Sequence, residues 1–119
     1  MKKTIYIRVT DRFEDFHKYD EAPDEVDFLR LLHRHLFYVN VCIQVNEDDR
    51  EIEFFMFKKQ LAIFISHLMN DLELGGHKMS CEMMADYLAK KIMEKYPQRN
   101  LSVEVSEDGE NSGIVEYRQ

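Results

Sequence analysis

The stretch Leu31–Val45 constrains the fold more than any other part of the chain. From Phe37 to Val45, apolar residues alternate with other residues, which is typical of a strand with one buried face. His33 and His35 continue the alternation at its start. Because residues two apart on a strand point to the same face, both imidazoles can approach one metal ion. A His-x-His pair alone is a weak signal, since buried histidines are more often only hydrogen-bonded, and a third ligand is needed.

Length and charge limit the possible functions. The chain has 119 residues, 45% hydrophobic and 12% aromatic, which predicts a single folded domain over residues 1–119. Its net charge of −7, without a Lys/Arg cluster, disfavours nucleic acid and anionic membranes as partners. Arg8 interrupts the apolar start of the chain, so we expect neither a signal peptide nor a membrane span there. The two cysteines predict no disulfide framework and a reducing cytoplasm.

The spacing of apolar residues predicts an α+β domain with the order β-β-α-α-β-β. The first strand starts at Ile5 and runs towards Phe13, and a polar loop over residues 16–27 joins it to the central strand. Recurrence at three and four predicts a helix from about 55 to 72, and Ser80 is a good N-cap for a second helix that Pro97 closes. A final hairpin has strands over 101–105 and 114–117 and a turn over 107–113. The sheet would have four antiparallel strands, with both helices between strands 2 and 3.

Five short motifs follow one another in an order that resembles a known family. They are FEDFH at Phe13–His17, LHRH at Leu32–His35, a helical histidine at His67, SCE at Ser80–Glu82 and VEVSE at Val103–Glu107. Together they resemble the 6-pyruvoyl-tetrahydropterin synthase and 6-carboxytetrahydropterin synthase family, which includes the queuosine-pathway enzymes and has the tunnelling fold. Each motif is short, so the specificity of the resemblance lies in their order and spacing.

The resemblance implies a zinc-dependent lyase that acts on a dihydroneopterin triphosphate-like substrate. His17, His33 and His35 would hold the zinc. His67 would be the catalytic histidine, and Glu107 would bind the pterin ring, since a carboxylate can accept two parallel N–H donors from a 2-aminopyrimidinone edge. Three imidazoles leave a position open in catalytic zinc sites, where water or substrate is polarised. The resemblance also implies a homotrimer or homohexamer, in which the edge strands of adjacent subunits close a barrel.

The cysteine of the family pattern is missing. Leu29 stands where the family has its catalytic cysteine, four residues before His33. Cys42 is expected on the opposite strand face from the two histidines, and Cys81 is expected to open a distant helix. Two hypotheses therefore stand: a divergent enzyme of the family, or a catalytically inactive pterin- or purine-binding protein that retains the zinc site.

The assignment of His67 is also open. The family's helical histidine follows an aspartate, whereas Ser66 precedes His67, and an alternative register puts Ser66 at the histidine. His77, beside two glycines, is expected to be a solvated loop residue. Four acidic residues of the polar loop are candidate proton acceptors in place of the cysteine: Glu21, Asp24, Glu25 and Asp27.

Overall fold

In the computed structural model, which describes all 119 residues, one antiparallel sheet carries two helices on one face. The predicted α+β class and the chain order β-β-α-α-β-β are confirmed, and a short 3-10 helix, Asp24–Arg30, adds to them inside the first connection. The strands lie side by side in chain order and are β1 (Ile5–His17), β2 (His33–Val45), β3 (Leu101–Glu107) and β4 (Asn111–Tyr117). The helices are α1 (Phe54–Leu74) and α2 (Cys81–Lys95).

The alternation along β2 determines which face of the sheet is buried. Its odd-numbered residues from Phe37 to Val45 are buried, and its even-numbered residues are partly or fully exposed. They join a core of 23 buried residues that the same face of the other strands and the apolar sides of both helices complete. The opposite face of the sheet has no helix over it and exposes Tyr6, Tyr38 and Ile114. A shift of one residue in register would exchange the two faces, so the apolar pattern fixes the register.

Both helices begin at side-chain caps. The carboxylate of Glu53 accepts the backbone N–H groups of Phe55 and Met56, and the hydroxyl of Ser80 accepts that of Met83. The expectation that Ser80 caps the second helix is confirmed, and α1 extends only slightly past the predicted bounds. None of the helices offers an apolar stretch of the length needed to traverse a bilayer.

Both hairpins are longer than the sequence predicted. The loop expected from residue 16 starts later, because β1 pairs with β2 as far as His17, which lies opposite His33. The turn expected over 107–113 is also shorter, because Glu107 pairs with Asn111. The backbones of the polar residues at these strand ends pair in the ladder, while their side chains face a cavity or solvent. Their polarity therefore did not indicate a turn.

The unequal lengths of the strands create the site. β3 begins to flank β2 at the pair Phe37 and Glu107, so the segment His33–Leu36 projects beyond β3 together with the end of β1. The connection between α1 and α2 crosses this projection, where the backbone N–H of Lys18 donates to the carbonyl of His77 over 3.0 Å. A loop, rather than a helix, therefore covers the end of the β1–β2 hairpin.

The amino terminus of α2 rests directly on β4. A Cβ added to Gly113 would lie 2.6 Å from the backbone nitrogen of Glu82 and 2.9 Å from its Cα. We therefore expect Gly113→Ala to lower the free energy of unfolding by about 1–3 kcal/mol, since overpacking forces the backbone apart. Urea denaturation followed by circular dichroism measures this change. Ser112→Ala, at the exposed neighbouring position, should change stability by less than about 0.5 kcal/mol. Equal stability of Gly113→Ala and the wild type would contradict the close contact.

Candidate metal centre

The strand ends bring the three histidines predicted as metal ligands together. His17 and His33 lie opposite each other in the ladder, and their ring centroids are 5.5 Å apart. The rings of His33 and His35 are 4.7 Å apart and perpendicular. Glu107 enters from β3, and one side-chain atom from each of the four residues lies within 4.8 Å of the others. These four residues form what we call the histidine cluster.

Three ring nitrogens of the histidine cluster are buried without a hydrogen bond. They are Nδ1 of His17, Nε2 of His33 and Nε2 of His35. His35 Nε2 lies 2.8 Å from Glu107 Oε2, but without the geometry of a hydrogen bond. Each buried polar atom left unpaired costs about 1–3 kcal/mol, so three that converge on one point call for a shared partner. Three imidazole nitrogens and a carboxylate oxygen are a donor set that fits zinc.

The other nitrogen of two of the three rings is held from outside the cluster. Nδ1 of His33 lies 2.8 Å from the carbonyl oxygen of Leu31, which can only accept, so this nitrogen carries the proton. Nδ1 of His35 lies 2.7 Å from a carboxylate oxygen of Asp108. Outer partners of this kind orient metal-binding histidines and direct the bare nitrogen of each ring at the ion.

The local charge favours a cation. Burial lowers the pKa of His17 below its usual value, against the opposing effect of Glu107, so its ring tends to the neutral form that binds metals. The backbone N–H of Leu36 and the ring of His35 lower the pKa of Asp108, which stays ionised. Two carboxylates beside the rings, those of Glu107 and Asp108, give the cluster a negative potential.

A cavity of about 160 Å³ adjoins the histidine cluster. His17 and Glu107 line it together with Cys81 and Glu82 at the start of α2. The expectation that Cys81 lies far from the site is wrong, because α2 packs with its amino terminus towards the ends of β3 and β4. Burial, with the nearby carboxylates of Glu107 and Glu82, raises the pKa of Cys81 to about 12, so it is a protonated thiol and a poor nucleophile at neutral pH. Cys42 lies on the opposite face of the sheet, as predicted, and lines a separate cleft.

The structure does not bring His67 to the cluster. His67 and Ser66, its alternative, are both exposed on α1. The histidine beside the cluster is His77, whose side chain is only 19% exposed and whose Nδ1 lies 3.4 Å from Oδ1 of Asp15, so the expectation of a solvated His77 is wrong. Asp15 pairs with His35 in the ladder. The acidic residues considered as proton acceptors are exposed and outside the cluster: Glu21, Asp24, Glu25 and Asp27.

In comparison with protein-family models and with curated proteins, the chain shows no match. The case for a metal centre therefore rests on its geometry. The three unpaired ring nitrogens, their outer partners and the carboxylate of Glu107 carry it.

Asp108 supplies the charged outer partner of the cluster and provides a test of it. Asp108→Asn should weaken zinc binding by about 10–100-fold, because the amide cannot accept the Nδ1 proton of His35 while it keeps its bond to Leu36. Competition with a chromophoric zinc chelator measures the affinity. Glu110→Gln removes a charge from the same exposed turn without touching a histidine and should leave the affinity unchanged. Unchanged affinity in Asp108→Asn would show that this outer partner does not support metal binding.

Proposed function

We propose that this protein is a divergent zinc-dependent lyase of the 6-pyruvoyl/6-carboxytetrahydropterin synthase type, with a dihydroneopterin triphosphate-like substrate. The observation that carries the proposal is the convergence of unpaired nitrogens from His17, His33 and His35. These three residues belong to the two motifs that resemble the metal-binding motifs of the family. The four-stranded antiparallel sheet, with both helices between its second and third strands, supports the further assignment of a tunnelling fold.

The zinc would be held by His17, His33 and His35, and when bound it supplies Lewis-acid polarisation of substrate oxygens. The chain's own contribution is to hold the three imidazole rings in the orientation that metal binding requires. Burial keeps His17 neutral, and the outer partners of His33 and His35 fix the direction of their bare nitrogens. Because the rings are already oriented, metal binding costs less conformational entropy.

The substrate ring would enter beside Glu107. The adjoining cavity is lined by residues at the start of α2 and of β4, together with the cap residue Ser80. The Glu107 carboxylate in its wall can accept the N–H donors of a polar heterocycle.

Proton transfer is assigned to His77 in place of the predicted His67. Nδ1 of His77 lies 3.4 Å from the Asp15 carboxylate, without the geometry of a hydrogen bond, and Asp15 is itself only 10% exposed. A small rotation of the ring would let the carboxylate hold Nδ1 and leave the other nitrogen free to take up or release a proton. His67, exposed on α1, has no such partner.

A second function has specific support: a catalytically inactive pterin- or purine-binding protein that retains the zinc site. Leu29 stands in place of the family's cysteine, and Cys81 near the cluster is protonated, so neither position supplies a thiolate. An assay of the zinc-loaded protein with dihydroneopterin triphosphate separates the two functions. Loss of triphosphate or of side-chain carbons indicates the lyase, whereas neopterin binding in calorimetry without turnover indicates the binding protein.

We further propose a cytoplasmic homotrimer or homohexamer. β1 and β4 are edge strands with unpaired backbone groups, and the sheet face without helices exposes large apolar side chains. Joining these edges around an axis would close a barrel. The unpaired cysteines, Cys42 and Cys81, are consistent with a reducing compartment. Light scattering should report three or six times the mass of one chain, and a monomer at working concentration would contradict the assembly.

His35→Ala tests the proposed metal site. The wild type should carry about one zinc per chain, and the variant should lose it, because one of three ring ligands is gone. Its far-UV circular dichroism should be retained, since the ring of His35 lies outside the apolar core. Metal analysis by plasma emission measures the content. His67→Ala removes an exposed histidine and should keep its zinc. Equal zinc in His35→Ala and the wild type would refute the site.

A further inference from the structure

The Glu107 carboxylate lies closer to the histidine nitrogens than binding of a pterin ring would require. Its Oε2 lies 2.8 Å from Nε2 of His35 and 3.8 Å from Nδ1 of His17. Ligand atoms bonded to one zinc at about 2.0–2.2 Å lie about 3–3.5 Å from one another. The two distances lie on either side of this range, so a shift of a few tenths of an ångström would place the carboxylate oxygen as a fourth ligand.

The Glu107 side chain has no other partner in the protein. It accepts no hydrogen bond, and its contacts with basic groups are those with His17 and His35. Its side chain is 28% exposed, so water still reaches the carboxylate, but no lysine or arginine lies beside it. A cation held by the histidines would compensate its charge at close range.

The backbone holds Glu107 against the cluster. It pairs with Phe37 on one side and Asn111 on the other, so the end of β3 is fixed in the ladder. The next residue, Asp108, donates its backbone N–H to the carbonyl of Leu36 over 2.8 Å. The same residue holds His35 through its carboxylate. One strand end therefore supplies the carboxylate and orients a histidine of the same cluster.

We propose that Glu107 is the fourth zinc ligand and closes the three-histidine centre when no substrate is bound. The inference rests on the metal site of the proposed function and departs from the role that the family resemblance gives Glu107. Binding a pterin ring through two parallel hydrogen bonds would use both carboxylate oxygens of Glu107. Coordination of the zinc would use one of them, Oε2. The two roles therefore compete, and ring binding withdraws Glu107 and opens a position at the metal.

Metal titration with cobalt and zinc tests this proposal without an activity assay. Glu107→Gln should still bind one metal per chain through the three histidines, but with an affinity lower by about 100-fold or more, beyond the effect expected for an outer partner. The visible spectrum of the cobalt-loaded variant should differ from that of the wild type, because a carboxylate has left the metal. The amide oxygen of the glutamine could still bind the metal in place of the carboxylate. Glu107→Ala removes that oxygen as well and should show the same loss of affinity. Glu110→Gln, an exposed change in the adjoining turn, should match the wild type in both measurements.

The outcomes separate this inference from the proposed function. One metal per chain in every protein, with equal affinity and the same cobalt spectrum in the wild type and both Glu107 variants, would overturn the inference and leave the three-histidine site standing. A wild type that binds no metal would overturn the proposed function as well. Neopterin added to the cobalt-loaded wild type should shift its spectrum towards that of Glu107→Gln, and an unchanged spectrum at saturating neopterin would refute the competition.

Discussion

The pairing of β1 with β2 is the interaction on which the rest of the structure depends. The ladder runs without a break from Ile5 and Val45 at one end to His17 and His33 at the other. Along most of its length the inner face carries apolar residues that form the core with both helices. At the end that projects past β3, the same face carries histidines. One register therefore sets both the core and the site, and a slip of one residue would expose the core and turn the histidines to the other face.

The arrangement of the site has a thermodynamic consequence. Buried ring nitrogens without partners disfavour the folded state while no ion is bound. A ligand that binds only the folded protein stabilises it in proportion to the logarithm of its concentration over its dissociation constant. The proposed metal binding would therefore be coupled to folding. The apolar core, which excludes all four members of the cluster, keeps the fold from depending on the ion alone.

The sequence predicted the parts of the fold that depend on local periodicity. The alternation of β2 identified its buried face and placed His33 and His35 together, and the three-and-four spacing identified α1. The end of β1 was missed because its polar residues resemble a loop when the partner strand is unknown. The position of Glu107 depends on its pairing with Phe37, a contact between residues far apart in the chain, and no local pattern reveals it.

The residues around the histidine cluster could not be predicted from local sequence patterns either. Cys81 comes close because α2 packs onto β4 at Gly113, and nothing in the sequence around Cys81 indicates that approach. No local pattern marks His77 either, because its partial burial depends on its approach to Asp15 on β1, which is far away in the chain.

The most direct test of the account is the position of zinc in a crystal, located by anomalous scattering at the zinc absorption edge. We expect one strong peak per chain, bonded to Nδ1 of His17, Nε2 of His33 and Nε2 of His35, the three nitrogens of the histidine cluster that are buried without a hydrogen bond. A peak at other residues, or no peak at these rings in crystals grown with zinc, would contradict it.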